Sequence, residues 1–171
     1  MPFRKKSNPS KVKMENNFED LIREEKNKLF RIAYLYSRDK HDALEIVQET
    51  LFKAFRRKDS LKEPQYFSTW ITKILINTAI DFINKRNRVQ PFGKIEKPHE
   101  FKGITPEEKM DLIDAINRLK EPYKTVIILR YYKDFTIKQI AETLNCPEGT
   151  VKTNLHRGIG ELKFDLKEDI Q

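Results

Sequence analysis

The sequence predicts an all-α fold with two small helical domains joined by a flexible linker: a three- to four-helix bundle, then a four-helix domain with a helix-turn-helix. Apolar residues recur every three or four positions over most of the chain, and no run alternates apolar and polar residues long enough to make a sheet. The 171 residues include only five glycines, and 38% of them are hydrophobic. This content suits two modest cores better than one large core.

The amino-terminal half predicts a basic tail followed by a helical bundle. In residues 1–16 five lysines and arginines face one glutamate, which predicts a disordered tail, with electrostatic help to DNA binding as the alternative. Residues 17–88 then carry three apolar stripes at helical spacing, which can close on one another as a bundle. The stripes run from Phe18 to Tyr36, from Ala43 to Phe55 and from Phe67 to Phe82.

A linker and a second helical domain follow. Residues 89–106 contain three prolines and two glycines among lysines and glutamates, which predicts a flexible linker. Residues 107–168 predict about four helices. The first of them is predicted to begin with Thr105 as its N-cap and Pro106 in its first turn. Pro122 opens the next helix, which contains the apolar run from Val126 to Leu129.

The segment TIKQIAETLNCPEGTVKTNLHRGIGEL, residues 136–162, predicts two short helices joined by a tight turn. Thr136 and Gln139 form a capping box, and Pro147 restarts the pattern after the turn. In the second helix Val151 and Leu155 belong to an inward stripe. Its outward residues are of types that reach base edges and phosphates. They are Glu148, Lys152, Thr153, His156 and Arg157. An ordinary helical hairpin with a solvated charged face is the alternative.

Composition narrows the classes of function. A formal net charge of +8 and a pI near 9.4 favour a nucleic-acid partner, although lysine-rich surfaces also serve solubility. No apolar run reaches membrane-spanning length and the start lacks a secretory hydrophobic stretch, which predicts a cytoplasmic protein.

The residues that could form a metal site are few and far apart. Cys146 is the single cysteine, and His41, His99 and His156 are scattered, so no metal site is predicted. Without a phosphate loop or a nucleophile and base arrangement, we expect no enzyme, cofactor or small-molecule substrate.

An acidic strip lies on the second predicted helix. Asp42, Glu45 and Glu49 are spaced by three and four with Gln48 at their border, so they share the face opposite the apolar stripe. Such a strip can dock a basic partner surface. The alternative is that acids near a helix start offset the macrodipole.

The third predicted helix carries a polar stripe that leads into a cluster of cations. Asn77 can donate and accept hydrogen bonds toward a base, while the later cations can meet phosphates. The stripe and its flanking residues are Tyr66, Lys73, Asn77, Asp81, Lys85, Arg86 and Arg88.

Three segments in order carry a family resemblance. They are DALEIVQETLFKAF from Asp42, YFSTWITKILINTAIDFINKRNR from Tyr66, and GTVKTNLHRGIGEL near the end. Together they resemble the extracytoplasmic-function group of bacterial RNA polymerase sigma factors, of the sigma-70 family, over nearly the whole chain beyond the tail. The resemblance implies a transcription initiation factor that binds core RNA polymerase and recognises the minus-ten element as melted single strand and the minus-thirty-five element as duplex. A conventional helix-turn-helix regulator acting without polymerase is the alternative.

The resemblance also assigns residues and partners. Core polymerase would bind Asp42, Glu45, Gln48 and Glu49. The minus-ten element would bind Tyr66, Lys73, Asn77, Asp81, Lys85, Arg86 and Arg88. The minus-thirty-five element would bind Lys138, Lys152, Thr153, His156 and Arg157. Residues 17–88 would be sigma domain 2 and residues 107–168 sigma domain 4. The implied partners are core RNA polymerase, promoter DNA and an anti-sigma factor, often a membrane protein.

Overall fold

The computed structural model describes the backbone of residues 9–89 and 106–168 and contains only helices there, which confirms the predicted all-α fold. Its seven α-helices are α1 (Pro9–Ser37), α2 (Lys40–Arg56), α3 (Phe67–Val89), α4 (Pro106–Arg118), α5 (Tyr123–Tyr131), α6 (Ile137–Leu144) and α7 (Glu148–Glu168). Two single 3₁₀ turns, Lys58–Ser60 and Pro64–Tyr66, connect α2 to α3. We call α1–α3 the amino-terminal helices and α4–α7 the carboxy-terminal helices.

The start of α1 differs from the predicted tail. The helix begins at Pro9, so residues 9–16 are helical rather than disordered. A proline is well suited to the first turn of a helix, where its missing N–H has no partner to lose, and no glycine or further proline follows to stop the helix. Residues 1–8 of the predicted tail and residues 90–105 of the predicted linker lie outside the described residues.

The amino-terminal helices bury the three predicted stripes against one another. Leu29 of α1, Ile46 of α2 and Leu75 of α3 are completely buried in their core. The chain turns between α1 and α2 at Arg38, whose φ is +57°, and Asp39 then caps α2 by accepting from the N–H of Asp42 at 2.8 Å.

Phe55 is an exception to the predicted core of α2. Its side chain is 57% exposed, whereas Ala54 beside it is completely buried. The buried stripe of α2 ends at Ala54. The Phe55 ring lies edge-on to the ring of Phe18, with ring centroids 6.5 Å apart.

The carboxy-terminal helices form the predicted helix-turn-helix around α5. The capping box is present, because Thr136 Oγ1 accepts from the N–H of Gln139 and the Gln139 side chain accepts from the N–H of Thr136. Asn145 ends α6 in the left-handed conformation, with φ +53°. Val151 then anchors α7 in the core, where it is completely buried.

The two groups of helices share one continuous hydrophobic core. Helix α4 packs on α1, and α6 packs on α3. Sequence periodicity predicted two bundles and did not predict that they touch. None of the described helices is long and apolar enough to cross a membrane.

Gly158 allows α7 to approach α5 closely. A Cβ at this position would lie 3.1 Å from Ile127 Cγ1 and 3.3 Å from Tyr123 Cβ. Ile127 is buried and the Tyr123 Cβ is fixed to the backbone, so neither can move away easily. We expect Gly158→Ala to lower the free energy of unfolding by about 1 kcal/mol, because an overpacking cost of about 1–3 kcal/mol exceeds the helix-propensity gain of about 1 kcal/mol.

Gly160 is the matched control, because a Cβ there meets nothing within 4 Å. Gly160→Ala is therefore expected to raise the free energy of unfolding by about 0.5–1 kcal/mol, through helix propensity alone. Urea unfolding of the two variants followed by circular dichroism measures both values. Equal stabilisation by the two substitutions would show that the α5–α7 contact tolerates a methyl group.

Candidate functional site

The acidic strip on α2 is only partly presented to solvent. Glu45, Gln48 and Glu49 are exposed, and Glu49 forms a helical ion pair with Lys53 at 3.4 Å. Asp42 is half-buried, because its carboxylate binds the guanidinium of Arg86 on α3. The structure thus places three of the four predicted strip residues on one free surface and uses the fourth to join α2 to α3.

An exposed apolar stripe accompanies the acids on α2. Leu44 is 51% exposed and Phe52 is 58% exposed, and together with Gln48 and Phe55 they recur at spacings of four, four and three. Sequence analysis missed this second stripe. The available signal was that α2 has more large apolar residues than one buried stripe can hold. A groove of about 700 Å³ runs beside it toward α3, lined by residues that include Glu45, Glu49, Phe52, Asp81, Lys85 and Val89.

The predicted polar stripe of α3 does not form one surface. Successive residues four apart rotate by about 40° around a helix axis, so Lys73 and Lys85 differ by about 120° in direction. Lys73 and Asn77 line a cleft against the carboxy-terminal helices. Asp81 and Lys85 line the groove beside α2 instead.

Arg86 and Arg88 differ in their environments at the end of α3. Arg88 is exposed, so it is accessible to a phosphate. Arg86 is only half-exposed, because it binds Asp42 and donates to the carbonyl of Ser37 at 3.4 Å. Its guanidinium therefore ties α3 to α1 and α2, and the contact of Arg86 with minus-ten DNA stays a prediction.

Two exposed aromatic side chains, Phe55 and Tyr66, lie at the end of α2 and directly before α3. Tyr66 is 54% exposed, whereas the adjacent Phe67 is buried in the core. Phe55 presents its ring to the ammonium of Lys58, which lies 4.6 Å from the ring centroid. Stacking surfaces next to cations are suited to unpaired bases and their phosphates.

The second helix of the helix-turn-helix presents the predicted side chains outward. Lys152, Thr153, His156 and Arg157 are all exposed, and so is Lys138 on α6. Thr153 donates its hydroxyl to the carbonyl of Gly149 at 2.9 Å, so toward DNA this oxygen is an acceptor.

Arg130 on α5 has a structural role by contrast. Its side chain is exposed, but it donates to the carbonyl of Phe135 at 2.9 Å and so closes the turn before α6.

A buried hydrogen-bond chain joins α1 to α5. Thr125 donates to the Glu121 carboxylate at 2.6 Å, so the Tyr36 hydroxyl donates to Thr125. Burial, together with the charge of Glu121, raises the pKa of Tyr36 above its ordinary range, so this phenol stays protonated.

Lys124 lies over the ring of Tyr36, with 4.9 Å between its Nζ and the ring centroid. It donates to Asn117 Oδ1 at 2.8 Å. Burial lowers the pKa of Lys124 from 10.5 to about 8; the Glu121 carboxylate opposes this shift, and the Arg38 guanidinium adds to it.

The lowered pKa of Lys124 gives a pH dependence of stability. The unfolded chain keeps this proton up to about pH 10.5, whereas the folded chain loses it near pH 8, so stability rises with pH between these values. We expect the free energy of unfolding to increase by about 2 kcal/mol from about pH 7.5 to about pH 9.5, below the ionisation of tyrosines. Urea unfolding at both pH values measures this increase.

Lys124→Met is the matched variant, since it keeps the aliphatic stem and removes the charge. Burial also lowers the pKa of Lys133, so this lysine makes the free energy of unfolding rise with pH in the wild type and in Lys124→Met alike. The increase of the free energy of unfolding with pH should therefore be smaller in Lys124→Met than in the wild type, but still present. An identical slope in the two proteins would show that Lys124 does not titrate in this range.

Asp39, His41 and Asp42 place one possible metal-ligand atom each within 4.8 Å of one another. Both carboxylates already accept from protein donors, Asp39 as the cap of α2 and Asp42 from Arg86. Nothing else at this cluster points to an ion, and the absence of a metal site stays a prediction.

Two segments match described protein families. Residues 21–89 match Sigma-70 region 2, and residues 109–162 match Sigma-70, region 4. The chain is 35% identical to the RNA polymerase sigma factor SigV of Bacillus subtilis (strain 168) over 151 residues, which cover 87% of this chain and 91% of SigV. It is 28% identical to the ECF RNA polymerase sigma factor SigW of the same strain, over 98% of each chain.

Solved structures agree with these matches. The sigma factor RpoE of Bartonella quintana, in complex with the anti-sigma factor NepR, is 25% identical with a TM-score of 0.75, covering 88% of this chain and 97% of that chain. CnrH, in complex with the cytosolic domain of CnrY, has the same fold, with 18% identity, a TM-score of 0.69, and coverage of 89% of this chain and 88% of that chain. The chain therefore belongs to the sigma-70 family, in its extracytoplasmic-function group, and is an initiation factor that directs RNA polymerase to specific promoters.

Proposed function

We propose that this sigma factor divides its work between its two groups of helices. The amino-terminal helices act as sigma domain 2, which binds core polymerase and the melted minus-ten element. The carboxy-terminal helices act as sigma domain 4, which reads the minus-thirty-five element as duplex. The observation that carries this proposal is the order of the two family matches, region 2 on α1–α3 and region 4 on α4–α7.

The α2 surface fits a basic amphipathic partner. Leu44 and Phe52 supply exposed apolar area in line with Gln48, while Glu45 and Glu49 supply negative charge beside it. Apolar anchors give an interface most of its affinity, and flanking charges steer the encounter and fix its register. We place core polymerase on this surface. Asp42 contributes by fixing α2 to α3 through Arg86.

The minus-ten strand is proposed to bind the exposed residues on and before α3. Tyr66 offers a stacking surface, Asn77 a base-edge contact, and Lys73 and Arg88 phosphate contacts. Melting costs a few kcal/mol for each unstacked base, and stacking on aromatic side chains recovers about 1–3 kcal/mol.

Helix α7 is proposed to enter the major groove of the minus-thirty-five duplex. The groove is about 12 Å wide and admits one helix, and the exposed side chains near the start of α7 lie where a recognition helix meets bases. Lys138 at the start of α6 then lies beside the phosphate backbone.

Regulation by an anti-sigma factor is proposed on the basis of the related structures. RpoE was solved with the anti-sigma factor NepR, and CnrH with CnrY. A similar protein would bind this chain when transcription is not required. We further propose that the chain acts in the cytoplasm, where its polymerase is, and that it catalyses no reaction.

Transcription with purified core polymerase and genomic DNA, followed by mapping of the start sites, tests the proposed function. We expect transcripts from a small set of promoters that share two sequence elements and that require both the protein and core polymerase. Tight, sequence-specific binding to duplex DNA without polymerase, and no such transcripts, would instead indicate a conventional helix-turn-helix regulator.

A further inference from the structure

Thr153 lies on the outward face of α7, opposite the residues that anchor this helix in the core. Val151 and Leu155 are buried, and each is two positions from Thr153, which is about 200° around the helix axis. The hydroxyl of Thr153 donates to the carbonyl of Gly149 at 2.9 Å. The oxygen of this exposed side chain is therefore held against the preceding turn of its own helix.

This hydrogen bond determines which group of Thr153 faces outward. A threonine side chain has two heavy atoms beyond Cβ, the hydroxyl oxygen and a methyl carbon, and the angle χ1 fixes both at once. With the oxygen held over Gly149, the methyl group is the part that an approaching molecule meets. Turning the hydroxyl toward a base would give up the bond to the Gly149 carbonyl. Thr153 thus presents an apolar group.

Gly149 leaves open space beside this methyl group. Residues four apart share one helix face, and a helical side chain leans over the turn before it, so Thr153 lies over Gly149. Gly149 is exposed, and a Cβ there would meet no atom of the described chain within 4 Å. Its φ lies outside the left-handed region, so neither packing nor backbone conformation requires a glycine. We call Gly149 and the Thr153 methyl group the α7 notch.

The chemistry of the α7 notch matches one feature of duplex DNA. In the major groove thymine presents its C5-methyl group, which the other three bases lack, and a threonine methyl group is among its common contacts. A glycine lets a ligand approach the backbone closely. We propose that the α7 notch receives the C5-methyl group of one thymine in the minus-thirty-five element, so that Thr153 selects thymine through its methyl group rather than its hydroxyl. This inference rests on the proposed function, because it takes α7 as the helix in the major groove.

Deoxyuridine, which is thymidine without the C5-methyl group, tests the notch without any change in the protein. Each thymidine of the mapped minus-thirty-five element is replaced in turn, on both strands, and binding of the duplex promoter by the wild-type protein with core polymerase is measured by competition. We expect one replacement to weaken binding about fourfold, the effect of removing one buried methyl group. Unchanged binding after every replacement, or an element without any A·T pair, would overturn the notch.

Two substitutions of Thr153 separate its methyl group from its hydroxyl. Thr153→Ser keeps the hydroxyl and loses the methyl group, so it should bind the thymidine and deoxyuridine promoters equally well. Thr153→Val keeps a methyl group and loses the hydroxyl, so it should retain the fourfold difference between these two promoters. The reverse result would assign base reading to the oxygen, as an acceptor from a base amino group, and would overturn the proposal.

Two glycines of α7 provide a further matched comparison. Gly149→Ala fills the notch and should weaken promoter binding about tenfold or more, because the added methyl group overpacks the contact with the base. Gly160→Ala should bind like the wild type, since Gly160 is equally exposed and free of contacts but lies about 16 Å farther along α7. Circular dichroism shows whether both variants fold. A folded Gly149→Ala protein with wild-type promoter binding would overturn the notch, and if this variant does not fold, the deoxyuridine promoters decide with the wild-type protein.

The failure of this inference differs from the failure of the proposed function. Promoters that require the minus-thirty-five element but tolerate every deoxyuridine replacement would remove the α7 notch and leave the proposed function intact. The absence of promoter-specific transcription by the wild-type protein would overturn both.

Discussion

Replacing Glu45 and Glu49 together by lysine is expected to weaken binding to core RNA polymerase at least tenfold, which corresponds to about 1.4 kcal/mol. Both side chains are exposed beside the apolar stripe of Leu44 and Phe52, so the change reverses the charge of the proposed docking surface without disturbing the core. Like charges brought together at an interface disfavour docking and slow the encounter. Titration of fluorescently labelled protein with core polymerase, at low and at moderate salt, measures the loss and its salt dependence.

Glu19→Lys with Glu24→Lys is the matched control, since both residues are exposed on α1 and the change in net charge is the same. This control should bind core polymerase like the wild type. Asp42 is left unchanged in both proteins because its reversal would break the ion pair with Arg86 and confuse docking with folding. Equal affinity of the α2 variant and the control would remove core polymerase from this surface.

The parts of the fold that were predictable from sequence are those with local signals. The helix-turn-helix is the clearest case. Its capping box joins residues three apart, its turn depends on one left-handed residue, Asn145, and its inward stripe repeats within a single helix. Each signal lies within a few residues of the structure that it predicts, so no tertiary information was needed.

The parts that were not predictable depend on residues far apart in the chain. Arg86 pairs with Asp42, 44 positions away, and Lys133 pairs with Glu25, 108 positions away. A cation on a helix face gives the same sequence pattern whether it meets DNA, solvent or a distant carboxylate. The family resemblance indicated which surfaces to consider, but only the packing separates Arg86 from the exposed Arg88 and reveals that Lys133 is buried.

The exposed cations of α7 lie at different positions on the recognition helix. Lys152 is five residues from Arg157, so they are separated by about 7.5 Å along the axis and by about 140° around it. Residues near the start of a recognition helix contact bases, while residues farther along reach phosphates. Lys152 is therefore expected to read sequence, and Arg157 to add affinity for any sequence.

Lys152→Ala is expected to change the preferred base at one position of the minus-thirty-five element. A good side-chain contact to a base contributes about 1–3 kcal/mol of discrimination, so the preference at that position should relax by roughly tenfold or more. Transcription of a promoter library randomised in the minus-thirty-five element, with sequencing of the transcripts, measures the preference.

Arg157→Ala is expected to weaken all members of the same library alike and to reduce the salt dependence of promoter binding by about one phosphate contact. Lys163→Ala is the control, because Lys163 is an exposed cation of the same helix about 16 Å from Lys152 along the axis. It should change neither the base preference nor the salt dependence, since a side chain so far along α7 has left the groove. If Arg157→Ala alters the base preference while Lys152→Ala only lowers affinity, α7 lies in the groove with its later turns toward the bases. The two roles are then reversed.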